Sequence, residues 1–428
     1  MPFLHERLDN GLDVIAEATP GALSTSVGFF VRTGARDETD AVWGVSHFLE
    51  HMVFKGTGEI SGDEINRRLD CMGASANAFT GEEDTAYYAM VLPERQDEAV
   101  DLLARMMRPA LRPEDFDTEK KVILEEIRMY DDQPPFGADD RCRAAFFGGH
   151  PLGRSVLGTV ESITALPVEA MREYHRLRYA PGQMVLAATG AVDFPALVGA
   201  ARRLCGDWQP HATGARLVAA APWDAAAAPV PGATGPSGAG DAGRVAQIVR
   251  PGATLEYAVR MSAGPSERHP DRFAAKLLAT ILGDSSGSRL YWALVDGGDA
   301  EQASLHHHEF LDAGLFVTQL SGDAAEITTL ADRVLEVYRE AQAEGFGREE
   351  FERARNKVAS RVVLSGERPR RRFFEVAGEW AHAGGYRTVA ETLGIIESLT
   401  VDDLHRVLAE WPLDGPAATV QAGPGAPA

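Results

Sequence analysis

Apolar and polar positions along this chain alternate at two periods, and the switches between them lay out its elements. Residues 3–18 form two short alternating segments around an Asn10-Gly11 step, the strongest short-range hairpin signal. TSVGFFVRT, residues 25–33, reads as a buried strand. WGVSHFLEHMVFKGT, residues 43–57, is a largely apolar helical segment, with Asp40 as its expected N-cap and Gly56 and Gly58 past its end. Ser61 with Glu64 three residues on matches a capping box, opening a helix that runs to Gly73. SANAFTGEEDTAYYAMVL, residues 75–92, predicts two strands joined by a short acidic turn. A helix is expected over 113–130, where Phe116, Ile123, Ile127 and Tyr130 share an apolar face. Helical patterns at 161–178, a strand at 183–190 and a helix to 205 complete the first unit.

Residues 209–243 are dominated by Ala, Pro and Gly without core periodicity and read as a linker. After it the pattern restarts. VGFFVRTGARDE at 27–38 compares with LEYAVRMSAGPSER at 255–268, each a strand ending in Val-Arg and followed by a helix. Superposing Val31-Arg32 on Val259-Arg260 sets His47, Glu50 and His51 against Ala275, Leu278 and Ala279, so the repeat lacks these polar side chains. His306, His307 and His308 would alternate faces on a strand and cannot all reach one ion. Helices are expected at 323–344 and 348–364, a basic cluster at 367–372 that is either a solvated face or a contact for a carboxylate of substrate or partner, and a disordered tail at 422–428. The expected division is 1–208, a linker at 209–243, and a homologous domain at 244–428. The fold class is α/β (α+β): two homologous units, each a mixed, antiparallel-rich sheet backed by helices.

At 428 residues and 45% hydrophobic content the chain can bury two or more sizeable cores. Its net charge of -21 argues against nucleic acid and anionic membranes as partners. Cys71, Cys142 and Cys205 are widely spaced and make neither a disulfide framework nor a Cys-x-x-Cys pair. With no signal-peptide pattern and no run near the roughly 18 apolar residues of a membrane span, a cytoplasmic location is expected.

Chemistry concentrates on two predicted helices. On the first, His47 and His51 lie four apart and Glu50 three after His47, which puts two imidazoles and a carboxylate near one face. On the second, Glu119 and Glu126, seven apart, lie within or at the edge of the apolar face, while Glu125 points away beside Lys121 and Arg128. Buried carboxylates need cations or strong donors. A zinc ion would provide this, with Glu126 and not Glu125 as third ligand; a structural salt bridge stays equally open on the residues alone. GDSSGSRLY, residues 283–291, lacks the Gly-Lys-Ser/Thr ending of a phosphate loop.

The His-x-x-Glu-His spelling and the flanking FLEHMVFKGT resemble the inverzincin metallopeptidase family of pitrilysin, insulin-degrading enzyme and mitochondrial processing peptidase. The resemblance implies a zinc-dependent endopeptidase acting on extended peptides or leader segments, its two units forming half of a clamshell. It implies Zn2+ on His47, His51 and Glu126, Glu50 as general base, and Glu119 as a second functional carboxylate. It implies a substrate-binding edge strand at Asn77, Ala78 and Phe79, and a structural role for 148–159, where His150 is a turn residue. The family carries an Arg and, seven residues later, a Tyr after the segment matching 283–291, but residues 292–305, WALVDGGDAEQASL, contain neither. Such groups stabilise a developing oxyanion, and losing one donor typically costs about two to three orders of magnitude in rate. The resemblance therefore implies a homologous subunit supplying the pair in a heterodimer, with a homodimer as alternative. A non-catalytic scaffold or peptide-binding subunit of the same fold, like the core proteins of respiratory complex III, is the competing expectation.

Overall fold

The computed structural model describes residues 1–210 and 246–425. In chain order, β1 (Phe3–Arg7), β2 (Asp13–Ala18) and β3 (Thr25–Val31) precede α1 (Val45–Val53) and α2 (Gly62–Met72). Then come β4 (Ser75–Thr80), β5 (Thr85–Val91), α3 (Gln96–Met106), α4 (Pro113–Asp132), α5 (Ala138–Phe147), α6 (Val160–Ala165) and α7 (Val168–Arg178). β6 (Met184–Gly190), α8 (Phe194–Cys205), β7 (Ala246–Val249), β8 (Glu256–Ala263) and α9 (Arg272–Gly283) follow. β9 (Gln302–Glu309), β10 (Gly314–Gly322), α10 (Ile327–Glu344), α11 (Arg348–Gly366), α12 (Pro369–Ala383), α13 (Val389–Ser398), α14 (Val401–Glu410) and β11 (Ala417–Gly423) complete the chain.

By packing, residues 1–127, 155–210 and 363–389 form one unit, and 128–154, 246–362 and 390–425 the other. This cuts across the contiguous division expected from sequence. The linker expected at 209–243 lies, from residue 211 on, outside the described residues.

The first unit holds a six-stranded sheet in the order β1-β2-β6-β3-β5-β4, with β2 and β6 parallel and the other neighbours antiparallel. Its central strands are buried on both faces, which explains their continuous apolar spelling. Val27, Phe29 and Val31 of β3 pack into a core with α1, α3, α4 and α8. Phe30, between them, packs on the opposite face with Tyr88, Val185 and the α12 residues Phe373, Val376 and Ala377. Arg372 at the start of α12, expected on a solvated face, is buried and donates from Nε and Nη2 to the two carboxylate oxygens of Glu17 of β2, at 2.8 and 2.6 Å. Burying Glu17 in a central strand demands that cation.

The second unit holds five strands in the order β7-β11-β8-β10-β9. β7 and β11 are parallel and the rest antiparallel, so this sheet repeats the order and directions of β2, β6, β3, β5 and β4. Ala275, Leu278 and Ala279 are buried on α9, which follows β8 as α1 follows β3. One face packs on α9, α10 and α14. The other packs on α5, through Ala138, Cys142, Phe146 and Phe147. The tail expected to be disordered from residue 422 instead contains the end of β11, whose Ala422 pairs with Tyr257.

Candidate functional site

The site is built on α1 and α4 of the first unit. The structure starts α1 at Val45 and puts the expected N-cap, Asp40, in a separate 3-10 turn. Glu38 does the capping from outside the helix: its two carboxylate oxygens accept the N–H groups of Gly44 and Ser46, both at 2.7 Å. Gly44 has φ +88°, and a Cβ there would meet the Ile163 side chain at 2.7 Å, so glycine is needed for the chain to enter the helix. Ser46 bonds the Tyr174 hydroxyl at 2.7 Å, and Phe48 stacks on Phe116 of α4 with ring centroids 4.5 Å apart. These contacts fix both the phase of α1 and its distance from α4.

The consequence is convergence of three donor atoms. His47 Nε2 and His51 Nε2 lie 3.7 and 3.6 Å from Glu126 Oε2, and all three fall within 4.8 Å of one another. Those separations are too long for hydrogen bonds. They suit a tetrahedral ion, whose bonds of about 2.0–2.1 Å set ligand atoms about 3.4 Å apart. Glu125 is exposed, as its helical phase requires. Tyr130, expected on the apolar face, is exposed because α4 outruns its packing partners there.

Glu119 is buried and accepts from His51 Nδ1 at 2.8 Å, while its second oxygen lies 2.5 Å from Lys55 Nζ. With its proton held on Nδ1, His51 presents the Nε2 lone pair to the cluster. Glu50 accepts a hydrogen bond from the Thr80 hydroxyl at 2.6 Å.

Charge in the cluster fits a cation. Burial, aided by the charge of His51, holds His47 down to about 4 and therefore neutral. Burial raises Glu126, and the neighbouring Glu119 adds to this against the opposing pull of His51. Burial also raises Glu50, opposed by Thr80 and His51. Burial would lower His51, but the Glu119 hydrogen bond and surrounding carboxylates outweigh it and raise it. A cation at the convergence point would reverse the shifts of Glu126, Glu50 and His51.

The expected substrate strand, β4, is a sheet edge bonded to β5 alone among the described strands. Its side chains divide between the faces. Phe79 packs on Phe374 and Phe30, on the face covered by α12, whereas Thr80 reaches Glu50 beneath α1. Asn77 shares the side of Phe79 by strand alternation, and its Oδ1 accepts the Ala78 N–H at 2.9 Å. The structure thus gathers His47, Glu50, His51, Glu119 and Glu126, and turns the Phe79 side chain away from them. Sequence reasoning omitted Lys55 and gave Thr80, at the end of the expected substrate strand, no role of its own. The spacing of Lys55, four after His51, was a signal for the first, whereas the face of β4 that carries Thr80 to Glu50 is set by the fold.

Elsewhere, His150 Nδ1 accepts the Leu152 N–H at 3.2 Å in a tight turn. His307 on β9 bonds the Pro265 carbonyl at 2.8 Å. A second trio, His269, Asp271 and Glu410, already has a cation, because Arg406 binds both oxygens of Asp271.

The family model described as Insulinase (Peptidase family M16) matches residues 13–160, which contain the whole cluster, and that described as Peptidase M16 inactive domain matches residues 165–358. The chain belongs to the M16 insulinase family. An uncharacterised zinc protease of Mycobacterium leprae is 32% identical over 403 residues, 93% of this chain and 86% of that protein. The mitochondrial-processing peptidase subunit beta of Lentinula edodes is 29% identical, over 94% of this chain and 86% of its own. Among solved structures, a Helicobacter pylori protease superposes with a TM-score of 0.89 at 22% identity, covering 99% of this chain and 100% of that one. A chain of complex III2 from Candida albicans gives 0.80 at 17% identity, covering 98% and 95%. These likenesses bear on fold alone. In the second unit, Ala275, Leu278 and Ala279 stand at the positions that the superposition of the two repeats sets against His47, Glu50 and His51. No helix of the described residues is long and apolar enough to cross a membrane.

Proposed function

We propose that this M16 protein is a zinc-dependent endopeptidase of extended peptides or leader segments, with His47, His51 and Glu126 as the zinc ligands. The observation that carries the reading is the convergence of His47 Nε2, His51 Nε2 and Glu126 Oε2, three protein donors among the described residues, which leaves a coordination position open. Zinc supplies Lewis acidity toward water and the scissile carbonyl. Glu50 takes the proton of the attacking water and returns it to the leaving amine. Glu119 holds His51 in orientation through Nδ1. The open edge of β4 takes the peptide as an added strand through backbone groups, which suits unstructured substrates of varied sequence.

The absence of Arg and Tyr from residues 292–305 makes this the zinc-bearing partner of a heteromeric pair, the second, homologous subunit supplying those donors. The relation to a processing-peptidase beta subunit favours that reading over a homodimer. A non-catalytic scaffold of the same fold is the alternative, but a scaffold has no use for two carboxylates turned toward two histidines.

The deciding experiment measures hydrolysis of a quenched unstructured peptide by the zinc-loaded chain, alone and with a homologous subunit that carries the Arg/Tyr pair. Stoichiometric zinc with activity in the pair is expected, and Glu50→Gln should retain zinc while losing about 10²–10⁴-fold in kcat. A Glu50→Gln protein that cleaves normally removes Glu50 from the mechanism, and zinc-free, inactive protein in both mixtures favours the scaffold.

A further inference from the structure

We infer that Thr80 is the positioning residue of the general base, tying Glu50 to the strand on which the peptide docks. The inference rests on the reading of Glu50 just given and adds a residue to it. Among the described residues, Thr80 is the side chain hydrogen-bonded to the Glu50 carboxylate: its hydroxyl donates to Oε2 at 2.6 Å. A carboxylate at the end of a flexible side chain can rotate, and one strong donor on one oxygen sets the direction of the other.

Three features of β4 make the donor rigid. Thr80 is the last residue of the strand, and the hairpin closes immediately after it through the Gly81 N–H to Asp84 carbonyl bond at 2.8 Å. Its β-branched side chain has restricted χ1 freedom, so the backbone dictates where the hydroxyl sits. Ala76 and Ala78, on the same side of the strand, are small and let β4 approach α1 closely enough for a direct bond.

The register then links docking to chemistry. Gly81 and Asp84 form a hydrogen-bonded pair, so by antiparallel alternation the Thr80–Thr85 and Ala78–Tyr87 pairs are non-hydrogen-bonded. The backbone groups of Ala78 and Thr80 accordingly face the free edge. The bond from the Ala78 N–H to the Asn77 side chain, and not to β5, agrees with this. Thr80 therefore offers its backbone to a docked peptide and its hydroxyl to Glu50, and registers one against the other.

The test uses the zinc-loaded full chain, with its partner subunit where activity needs one, and the variants Thr80→Val, Thr80→Ser, Glu50→Gln and Glu50→Gln/Thr80→Val. Valine keeps the shape and β-branching of threonine, and equal melting temperatures check the fold. Thr80→Val should lower kcat by about 10- to 100-fold with KM and zinc content unchanged, Thr80→Ser should recover most of the rate, and Thr80→Val should add no loss on top of Glu50→Gln. A raised KM at constant kcat, or an equal loss in both backgrounds, would overturn the inference. Crystal structures of the zinc-loaded wild type and Thr80→Val decide it without turnover. One Glu50 rotamer in the former and several in the latter supports the positioning role; the same single rotamer in both refutes it, whether or not the chain proves to be a peptidase.

Discussion

Glu119 shows how one buried side chain can serve two neighbours. Its two oxygens meet His51 Nδ1 and Lys55 Nζ, so the carboxylate lies between a proposed zinc ligand and a fixed cation. Burial would raise its pKa, but the hydrogen bonds to His51 and Lys55 together hold it below the ordinary value, and it stays ionised. An ionised carboxylate on Nδ1 makes the imidazole a better donor through Nε2 and stops the ring from turning. Glu119→Gln should therefore weaken zinc binding by about 10- to 100-fold, the usual range for a partner bonded to a ligating histidine. Lys55→Met should have a smaller effect of the same sign, because Lys55 acts through Glu119. Competition against a chromogenic chelator measures both, and unchanged affinity in Glu119→Gln would mean that something else fixes the His51 ring.

At the scale of elements, α1 is a nine-residue helix whose first turn carries His47, so its phase is only as good as its start. Glu38 satisfies two N–H groups there from a loop. Glu38→Ala leaves them buried without that partner and should cost about 1–3 kcal/mol in urea unfolding, with a loss of zinc affinity alongside. A stability within error of wild type would show that the helix start is held by packing alone. This cap also marks where the sequence stops being legible. The two histidines, Glu50, Glu119 and Glu126 could be read because helical period is a local property, and two periodic helices sufficed to choose Glu126 over Glu125. Asp40 was the natural candidate for the cap by local rules, but the chain turns twice between it and Val45, and a longer carboxylate from further back reaches the helix instead. Strand β11, AATVQAG, has little β-branched or aromatic character, and its neighbours β7 and β8 make it a strand. Phe79 follows the same logic: which face of β4 meets α1 depends on a fold that strand alternation cannot specify.

For the molecule as a whole, the two sheets are alike in topology and alike in how they are completed. α12, from the second half of the sequence, covers one face of the first sheet, and α5, from the first half, covers one face of the second. Each half of the chain thus supplies a helix that the other half's sheet requires. Without residues 369–386, which hold α12 and the turn after it, Ile15, Phe30, Tyr88, Val185 and Ala187 would form a contiguous apolar patch, and Glu17 would lose both Arg372 and the Tyr386 hydroxyl. Residues 1–208, although they contain every proposed zinc ligand, should consequently aggregate when expressed alone, and residues 244–428 should do the same for want of α5. Co-expressed, the two pieces should form one soluble complex that binds zinc, detectable by co-purification through a tag on either piece. A soluble, monomeric 1–208 fragment with the thermal stability of the full chain would sink this argument. In the intact chain, Arg372→Met isolates the same dependence at one contact: it strands the buried Glu17 carboxylate and should cost about 3–5 kcal/mol, without touching a residue of the cluster. If that loss appears and the zinc affinity of the folded variant is unchanged, α12 serves the first unit by completing its sheet and takes no part in holding the metal.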